Sequence, residues 1–437
     1  LSAHAAAVER DPVPRPRSLE LTGTWLLSGA MAGAGVLAYA FHILAARTLT
    51  QSEYGQVAAF WAALFIAVVV LFRPLEQTTS RSLADRLERG LEGWSVLRAV
   101  ALVYVCLVGV VVVAGALSWS VLTRELFDGS GFMTAMLLLG IAGYGVQYVA
   151  RGILGGLRRF HGLSSIHLGD GVVRLALALP LVYFGSKDIA AAALAAAGIG
   201  GAVGPLWRCR SQIGSLKSGR SDERFHISAA LSFAAPAGVI AGSDQLLVNG
   251  APLLVIAGGG STTDAALVFA ATMLVRVPVF FFSGVAGSLL PNLARLNAAA
   301  DHKRFARTVT KVCLTFAAAT VAITAGAALL GPVAMRLLYG SEYSGMSAGD
   351  LALLGFAAGC YLACGTVSQA LLALARAGTG AAAWATAAGV FILVVSVSSR
   401  PVALHNVALG LAVAMAVNAL LLAIAFARRV RTGAAPG

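Results

Sequence analysis

Residues 42–64 read HILAARTLTQSEYGQVAAFWAAL, and this stretch decides the fold. An apolar helix ends at Ala45 and Ala46, a short polar turn runs from Arg47 to Glu53, and Tyr54 and Gly55 open the next apolar helix. A weaker copy lies far downstream at 254–274, LVIAGGGSTTDAALVFAATML. In both, an apolar helix stops, a small polar link ends in Ser-Glu or Thr-Asp, and an Ala/Val-rich helix begins. One hairpin written twice in an apolar chain points to a duplicated transporter body.

Composition agrees. The 437 residues are 58% hydrophobic and only 12% charged, with mean hydropathy +0.83, whereas a soluble chain carries about 25% charged residues. Many apolar runs approach the roughly 20 residues needed to span a bilayer as a helix. They predict an all-α polytopic membrane protein with about twelve transmembrane helices. The first six are expected at 21–46, 54–72, 94–119, 132–155, 165–184 and 188–207, the second six at 228–257, 265–290, 309–331, 347–374, 379–397 and 403–427. The net charge of +13 would suggest nucleic acid in a soluble protein. Here it reads as cytoplasmic loops facing anionic headgroups, so membrane lipids and not nucleic acid are the expected partners.

Placement of Arg and Lys sets the orientation. With the N-terminus inside, cytoplasmic segments hold Arg10, Arg15, Arg17, Arg81, Arg86, Arg89, Arg158, Arg159, Arg208, Arg210, Lys217, Arg220, Arg376, Arg428 and Arg429, among others. The outer segments hold only Arg47, Arg124, Lys187, Arg336 and Arg400. Both termini are therefore expected in the cytoplasm and the protein in the inner or plasma membrane. The basic link 208–227 is the expected boundary between an N-terminal lobe, 21–207, and a C-terminal lobe, 228–427. Tails at 1–20, read as disordered, and 428–437 are expected on the cytoplasmic side. The halves echo each other again: Leu138–Ala142 matches Leu353–Ala357, and Arg151–Arg158 lines up with Gln369–Arg376. Six helices per half make this a parallel repeat. Between Gln77 and Glu92, Arg81, Asp85 and Arg89 at i,i+4 spacing predict a polar helix continuing the second span, either a solvated extension or a gate element.

No segment outside the membrane is large enough for a catalytic domain, and P-loop, HExxH and CxxC signatures are missing, so an enzyme is not expected. Four of the five cysteines (Cys106, Cys313, Cys360, Cys364) fall in apolar runs, and Cys360 and Cys364 have no nearby His or acid. They read as packing residues, with no metal or cofactor. His42, His167 and His405 are isolated and read as packed or interfacial. Function must sit among intramembrane ionisable groups. Asp170 and Arg174 are four apart on one helix face, and Asp244 and Arg276 fall at similar depth. Each pair either neutralises itself as a lock or faces a hydrated cavity. Arg73, beside Pro74, and Arg151, a turn after Gln147, have no obvious sequence partner, which makes them the foremost candidate substrate contacts; Gln147, Arg174 and Arg276 complete the candidate set. Arg73 and Arg151 otherwise snorkel to headgroups. Arginine suits an anionic substrate because its fork grips phosphate oxygens bidentately. Asp170 and Asp244 are candidates for carrying a coupling H+ or Na+. Pro236, Pro252 and Pro278 fall inside predicted helices and favour kinks. GxxxG spacings at Gly29/Gly33, Gly152/Gly156, Gly200/Gly204 and Gly355/Gly359 mark close helix packing at most.

The segment HILAARTLTQSEYGQVAAF resembles the first hairpin of the polysaccharide (Wzx-type) flippases of the MOP exporter superfamily. SDQLLVNGAPLLVIAGGGSTTDAALVFAA is similar to the hairpin opening their second half, and RGILGGLRRF to the end of their fourth helix. The resemblance implies a V-shaped bundle of two six-helix lobes around a cationic cavity. It implies translocation of a polyprenyl-pyrophosphate-linked oligosaccharide to the outer leaflet, beside a polysaccharide polymerase and glycosyltransferases. By the same resemblance Arg73, Arg151, Arg174 and Arg276 line the cavity and Asp244 takes the matching position. The chain lacks the two extra C-terminal helices of lipid II flippases, which argues against a peptidoglycan role. The rival expectations are a cation-coupled multidrug antiporter of the same superfamily, with a cavity of acids and aromatics, and a non-transporting scaffold of a polysaccharide assembly complex.

Overall fold

The computed structural model describes residues 18–221, 225–277, 302–373, 377–398 and 400–432. The principal helices are α1 Ser18–Thr48, α2 Gln51–Glu88, α3 Trp94–Leu117, α4 Gly131–Gly156, α5 Phe160–Ala178 and α6 Lys187–Arg208. They are followed by α7 Ile227–Asn249, α8 Ala251–Ala257, α9 Thr262–Val275, α10 His302–Tyr339, α11 Ala348–Ala373, α12 Ala377–Val397 and α13 Leu404–Thr432. Among the described residues no strand occurs; one isolated bridge joins Leu91 to Arg220. Ten of these helices are long and apolar enough to cross a membrane, eleven if α7 and α8 count as one bent span. The chain is a multi-pass membrane protein.

The expected spans recur with two differences. The seventh, expected as one span over 228–257 with Pro252 favouring a kink, divides into α7 and α8, bent by 67°. Gly250 closes α7, and Pro252 sits at the start of α8, where its missing N–H falls among donors that a helix N-terminus leaves unpaired in any case. The eighth is described through Val275 as a 14-residue apolar helix; its expected remainder to 290, with Pro278, lies outside the described residues. The polar extension after the second span is real: α2 runs unbroken past Pro74 to Glu88. The basic link is partly helical at Arg210–Ser215 and folds back on the first half, with the Trp94 N–H donating to the Leu216 carbonyl at 3.1 Å.

The first six helices and the later seven repeat their packing. α1 packs on α5 as α7 does on α12, α4 on α6 as α11 on α13, and α3 on α4 as α10 on α11. The outermost members carry the lipid-facing surface. α3 exposes Leu102, Val105 and Val110, and α10 exposes Leu314, Val321 and Leu329. Where lipid offers no hydrophobic drive between helices, close approach through small residues replaces it. A Cβ on Gly152 would lie 2.8 Å from Thr79, and one on Gly359 2.6 Å from Thr320, so these two GxxxG pairs clamp α4 to α2 and α11 to α10. Gly29 and Gly204 face open space.

Both copies of the hairpin end in the same capping box. Thr50 and Glu53 cap α2 reciprocally, as Ser261 and Asp264 cap α9. The two turns touch. Ser52 Oγ lies 2.7 Å from Thr262 Oγ1, and a Cβ on Gly55 would sit 1.8 Å from the Thr262 carbonyl oxygen. Around them Arg47 Nε donates to the Leu338 carbonyl at 2.9 Å, and the rings of Tyr54 and Tyr343 meet edge to face at 6.2 Å. This end, the turn end, is sealed between the two halves. Gly55→Ala tests the contact: helix propensity favours Ala by about 1 kcal/mol, but the methyl collides with the Thr262 carbonyl. The expected result is a lower melting temperature in detergent and faster maleimide labelling of Ser52→Cys in the Gly55→Ala background. A higher melting temperature with unchanged labelling would show that the turns do not need this approach.

Candidate functional site

Below the sealed turns, α1, α2, α7 and α9 meet in an aromatic layer. His42 is fully buried, with Trp61, Phe269 and Phe41 rings set edge-on at 4.5, 4.8 and 5.1 Å. Its two ring nitrogens have no hydrogen-bond partner among the described residues. The expectation of a packed histidine fits this cage. Trp61 continues the layer toward both halves. Its Nε1 donates to Asn249 Oδ1 at 3.3 Å, and the Arg174 guanidinium lies 5.0 Å from its ring centroid. Asn249 Oδ1 also accepts from Arg276 Nη1 at 3.4 Å. Asn249 Nδ2 donates to Gln245 Oε1 at 2.7 Å, and Gln245 Nε2 to Asp244 Oδ2 at 3.3 Å. One continuous series, Arg174–Trp61–Asn249–Arg276 with Gln245 and Asp244 as its branch, therefore crosses from the first half to the second.

The charged residues picked out by sequence separate into three groups. Asp170 and Arg174 form an ion pair on α5, closed by Tyr144, whose hydroxyl donates to Asp170 Oδ1 at 2.7 Å. Arg174 is 3% exposed. This arrangement suits a lock between α4 and α5. Of the two alternatives for Asp244 and Arg276, self-neutralising pairing is not found: among the described residues no ion pair joins them, and Arg276 bonds to Asn249. The amides of Asn249 and Gln245, one turn apart on α7, link the two charges by hydrogen bonds.

The third group corrects the expectation that Arg73 and Arg151 lack a partner. Arg151 grips Glu76 bidentately, Nε to Oε1 at 3.2 Å and Nη2 to Oε2 at 3.1 Å. Arg73 Nη1 reaches the same Oε2 at 3.3 Å. Glu76 follows Arg73 by three positions, one turn on, and Gly152 and Gly156 bring α4 close enough for Arg151 to reach across. Arg151 does not snorkel: it is 8% exposed and stacks on Tyr148 at 4.2 Å. Arg73 is more open, with 39% of its side chain accessible. Gln147 is buried beside this group, its amide nitrogen unpartnered among the described residues.

Two cavities flank the series. One, of about 910 Å³, lies toward the Arg-rich end between α2, α4 and the start of α7, and is lined by Arg73, Glu76, Arg81, Asp85, Arg151 and Ala234. The other, of about 540 Å³, lies in the second half and is largely apolar, with Asp244, Gln245, Arg276, Phe316, Tyr361 and Gln369 on its wall. Cys360 and Cys364 are free thiols, and among the described residues no cluster suited to a metal occurs. Removing Glu76 leaves the buried Arg151 uncompensated. Glu76→Gln is expected to lower stability by about 3 kcal/mol, whereas Arg73→Gln, which removes the exposed partner, should cost under about 1 kcal/mol. Thermal unfolding in detergent followed by near-UV circular dichroism checks this; equal losses would contradict the assignment of Arg151 as the buried member.

No protein-family model matches the chain. Curated relatives include the uncharacterized protein Rv1510 of Mycobacterium tuberculosis, 27% identical over 367 residues that cover 83% of this chain and 79% of the relative. The uncharacterized protein Rv3630 of the same species is 26% identical over 380 residues, covering 84% and 82%. Among solved structures, a multidrug resistance MATE family transporter of the MOP superfamily, in its inward-facing conformation, superposes with TM-score 0.74 at 15% identity. The match covers 95% of this chain and 98% of that one. The eukaryotic MATE transporter AtDTX14 gives 0.64 at 16% identity over 95% and 98%. Helix order, the parallel repeat and these superpositions agree: the chain has the fold of the MATE transporters of the MOP superfamily.

Proposed function

We propose that this protein is an alternating-access transporter that moves a polyprenyl-pyrophosphate-linked oligosaccharide from the cytoplasmic to the outer leaflet. The observation that carries the reading is the Arg73–Glu76–Arg151 group on the wall of the larger cavity. Two guanidiniums share one carboxylate, which leaves one positive charge in surplus and two forks held in place. A pyrophosphate brings more charge and more acceptor oxygens than Glu76 and competes for the same forks. The sugar head cannot cross hydrocarbon unaided, because its polar groups would lose water without replacement. The cavity takes the head while the polyprenyl chain stays in the bilayer.

Orientation follows from the arginines. If the Arg-rich end faces the cytoplasm, both termini are cytoplasmic and the sealed turn end faces outward. This is the state in which cargo enters from the inner leaflet. Binding of the pyrophosphate releases Glu76, α2 and α4 reorganise around it, and parting of the turn contacts then opens the outer side. An H+ or Na+ gradient acting at Asp170 or Asp244 supplies direction, and a polymerase with its glycosyltransferases supplies and consumes the cargo at the two faces.

A second reading, a cation-coupled small-molecule antiporter, is favoured by the smaller cavity, where Asp244 sits among Phe316, Tyr361 and apolar side chains. Transfer in reconstituted vesicles separates the two. A fluorescent polyprenyl-pyrophosphate oligosaccharide should reach the far leaflet at least about tenfold more slowly with Arg151→Ala, in line with the loss of a charge-assisted hydrogen bond. Dye efflux should not respond to that change. Unchanged lipid transfer with Arg151→Ala, alongside dye efflux abolished by Asp244→Asn, would replace the first reading with the second.

A further inference from the structure

Every other arginine named above that lies inside the bundle meets a carboxylate. Arg276 and Asp244 are different: both stand on the wall of the 540 Å³ cavity, and among the described residues no ion pair joins them. Among the described residues the Arg276 side chain makes one hydrogen bond, to Asn249 at 3.4 Å. Asp244 Oδ2 accepts from Gln245 at 3.3 Å, the Tyr361 hydroxyl lies beside the carboxylate, and Oδ1 accepts no hydrogen bond among the described residues. The 2.7 Å bond between Gln245 and Asn249 sets the spacing. Each amide meets one of the two charges, Gln245 the carboxylate and Asn249 the guanidinium.

Charges kept apart in an apolar bundle are costly. A lone cation entering the cavity would satisfy Asp244 and be repelled by Arg276; a lone anion would meet the reverse. A ligand with both signs satisfies both walls, while Phe316, Leu354 and Met31 bury its apolar part. We propose that this cavity is a binding site for a zwitterionic small molecule, its ammonium on Asp244 and its carboxylate or phosphate on Arg276. The site is separate from the Arg73–Glu76–Arg151 cavity, the inference holds whichever cargo that cavity takes, and with Asp244 given to the ligand it leaves Asp170 as the carboxylate for a coupling ion.

Titration calorimetry on the full chain in lipid nanodiscs tests this with three probes on one phenethyl scaffold: phenylalanine, phenethylamine and hydrocinnamate. The wild type should bind phenylalanine at least about tenfold more tightly than either singly charged probe, the equivalent of one charged contact. Asp244→Asn should reverse the order in favour of hydrocinnamate, and Arg276→Gln in favour of phenethylamine. Each gain also certifies that the variant is folded. Arg276→Lys should keep the preference for the zwitterion. Phenethylamine binding the wild type as tightly as phenylalanine, no heat from phenylalanine at millimolar concentration, or a phenylalanine affinity untouched by both neutral substitutions would each overturn the proposal. Loss of lipid transfer in Arg151→Ala alongside any of these results would leave the flippase reading standing and remove this site alone.

Discussion

The contact between the two capping-box turns is the constraint on which the rest of the structure depends. Ser52 meets Thr262 across the pseudo-twofold relation of the two halves, and Gly55 lets the α2 backbone lie against the Thr262 carbonyl. The same local chemistry makes both turns, a Thr or Ser side chain taking the third backbone N–H while Glu53 or Asp264 returns the bond. Once the turns are joined, the layers beneath are brought into register: Arg47 on the Leu338 carbonyl, Tyr54 against Tyr343, the His42 cage, and Trp61 on Asn249.

Charge is handled differently at three depths. On α5, Asp170 and Arg174 cancel and are sealed by Tyr144 and the Trp61 face. Toward the Arg-rich end, Glu76 divides itself between Arg73 and Arg151 and leaves a positive remainder in the larger cavity. In the second half, Asn249 meets Arg276 and Gln245 meets Asp244, and among the described residues no ion pair joins the two charges. A purely structural bundle would neutralise all three, since each uncompensated charge in an apolar surround costs several kcal/mol. On the proposed function, the places left unneutralised are where a ligand supplies the missing partner.

Much of this was legible in the sequence. The repeated hairpin, the positions of the helices and the polar continuation of α2 follow from hydropathy, spacing and turn chemistry, all of which are local. The Asp170–Arg174 pair was visible because i,i+4 spacing places both on one face. Glu76 was missed as a partner, although its i+3 offset from Arg73 was available. It stands one residue before the polar stretch 77–92, and its tie to Arg151 needs α4 packed on α2, 75 residues away in sequence. The Trp61–Asn249 bond spans 188 residues and joins a tryptophan to an amide, which no period or spacing announces. The break at Gly250 had its signal in Pro252, which favours a kink, while the apolar stretch on both sides gave no sign of its 67° size. Side-chain meetings between distant helices are decided by packing, and packing is what a single sequence states least directly.

The central claim is that the sealed turn end and the Arg-rich end open in alternation. Pulsed electron–electron resonance between spin-label pairs in a cysteine-free background measures it directly. One pair, at Asp128 and Glu342, spans the turn end; the other, at His161 and Thr379, spans the Arg-rich end, and all four positions are exposed. Addition of a polyprenyl-pyrophosphate oligosaccharide should lengthen the first distance and shorten the second. Two distances that stay fixed, or that change in the same sense, would contradict the account.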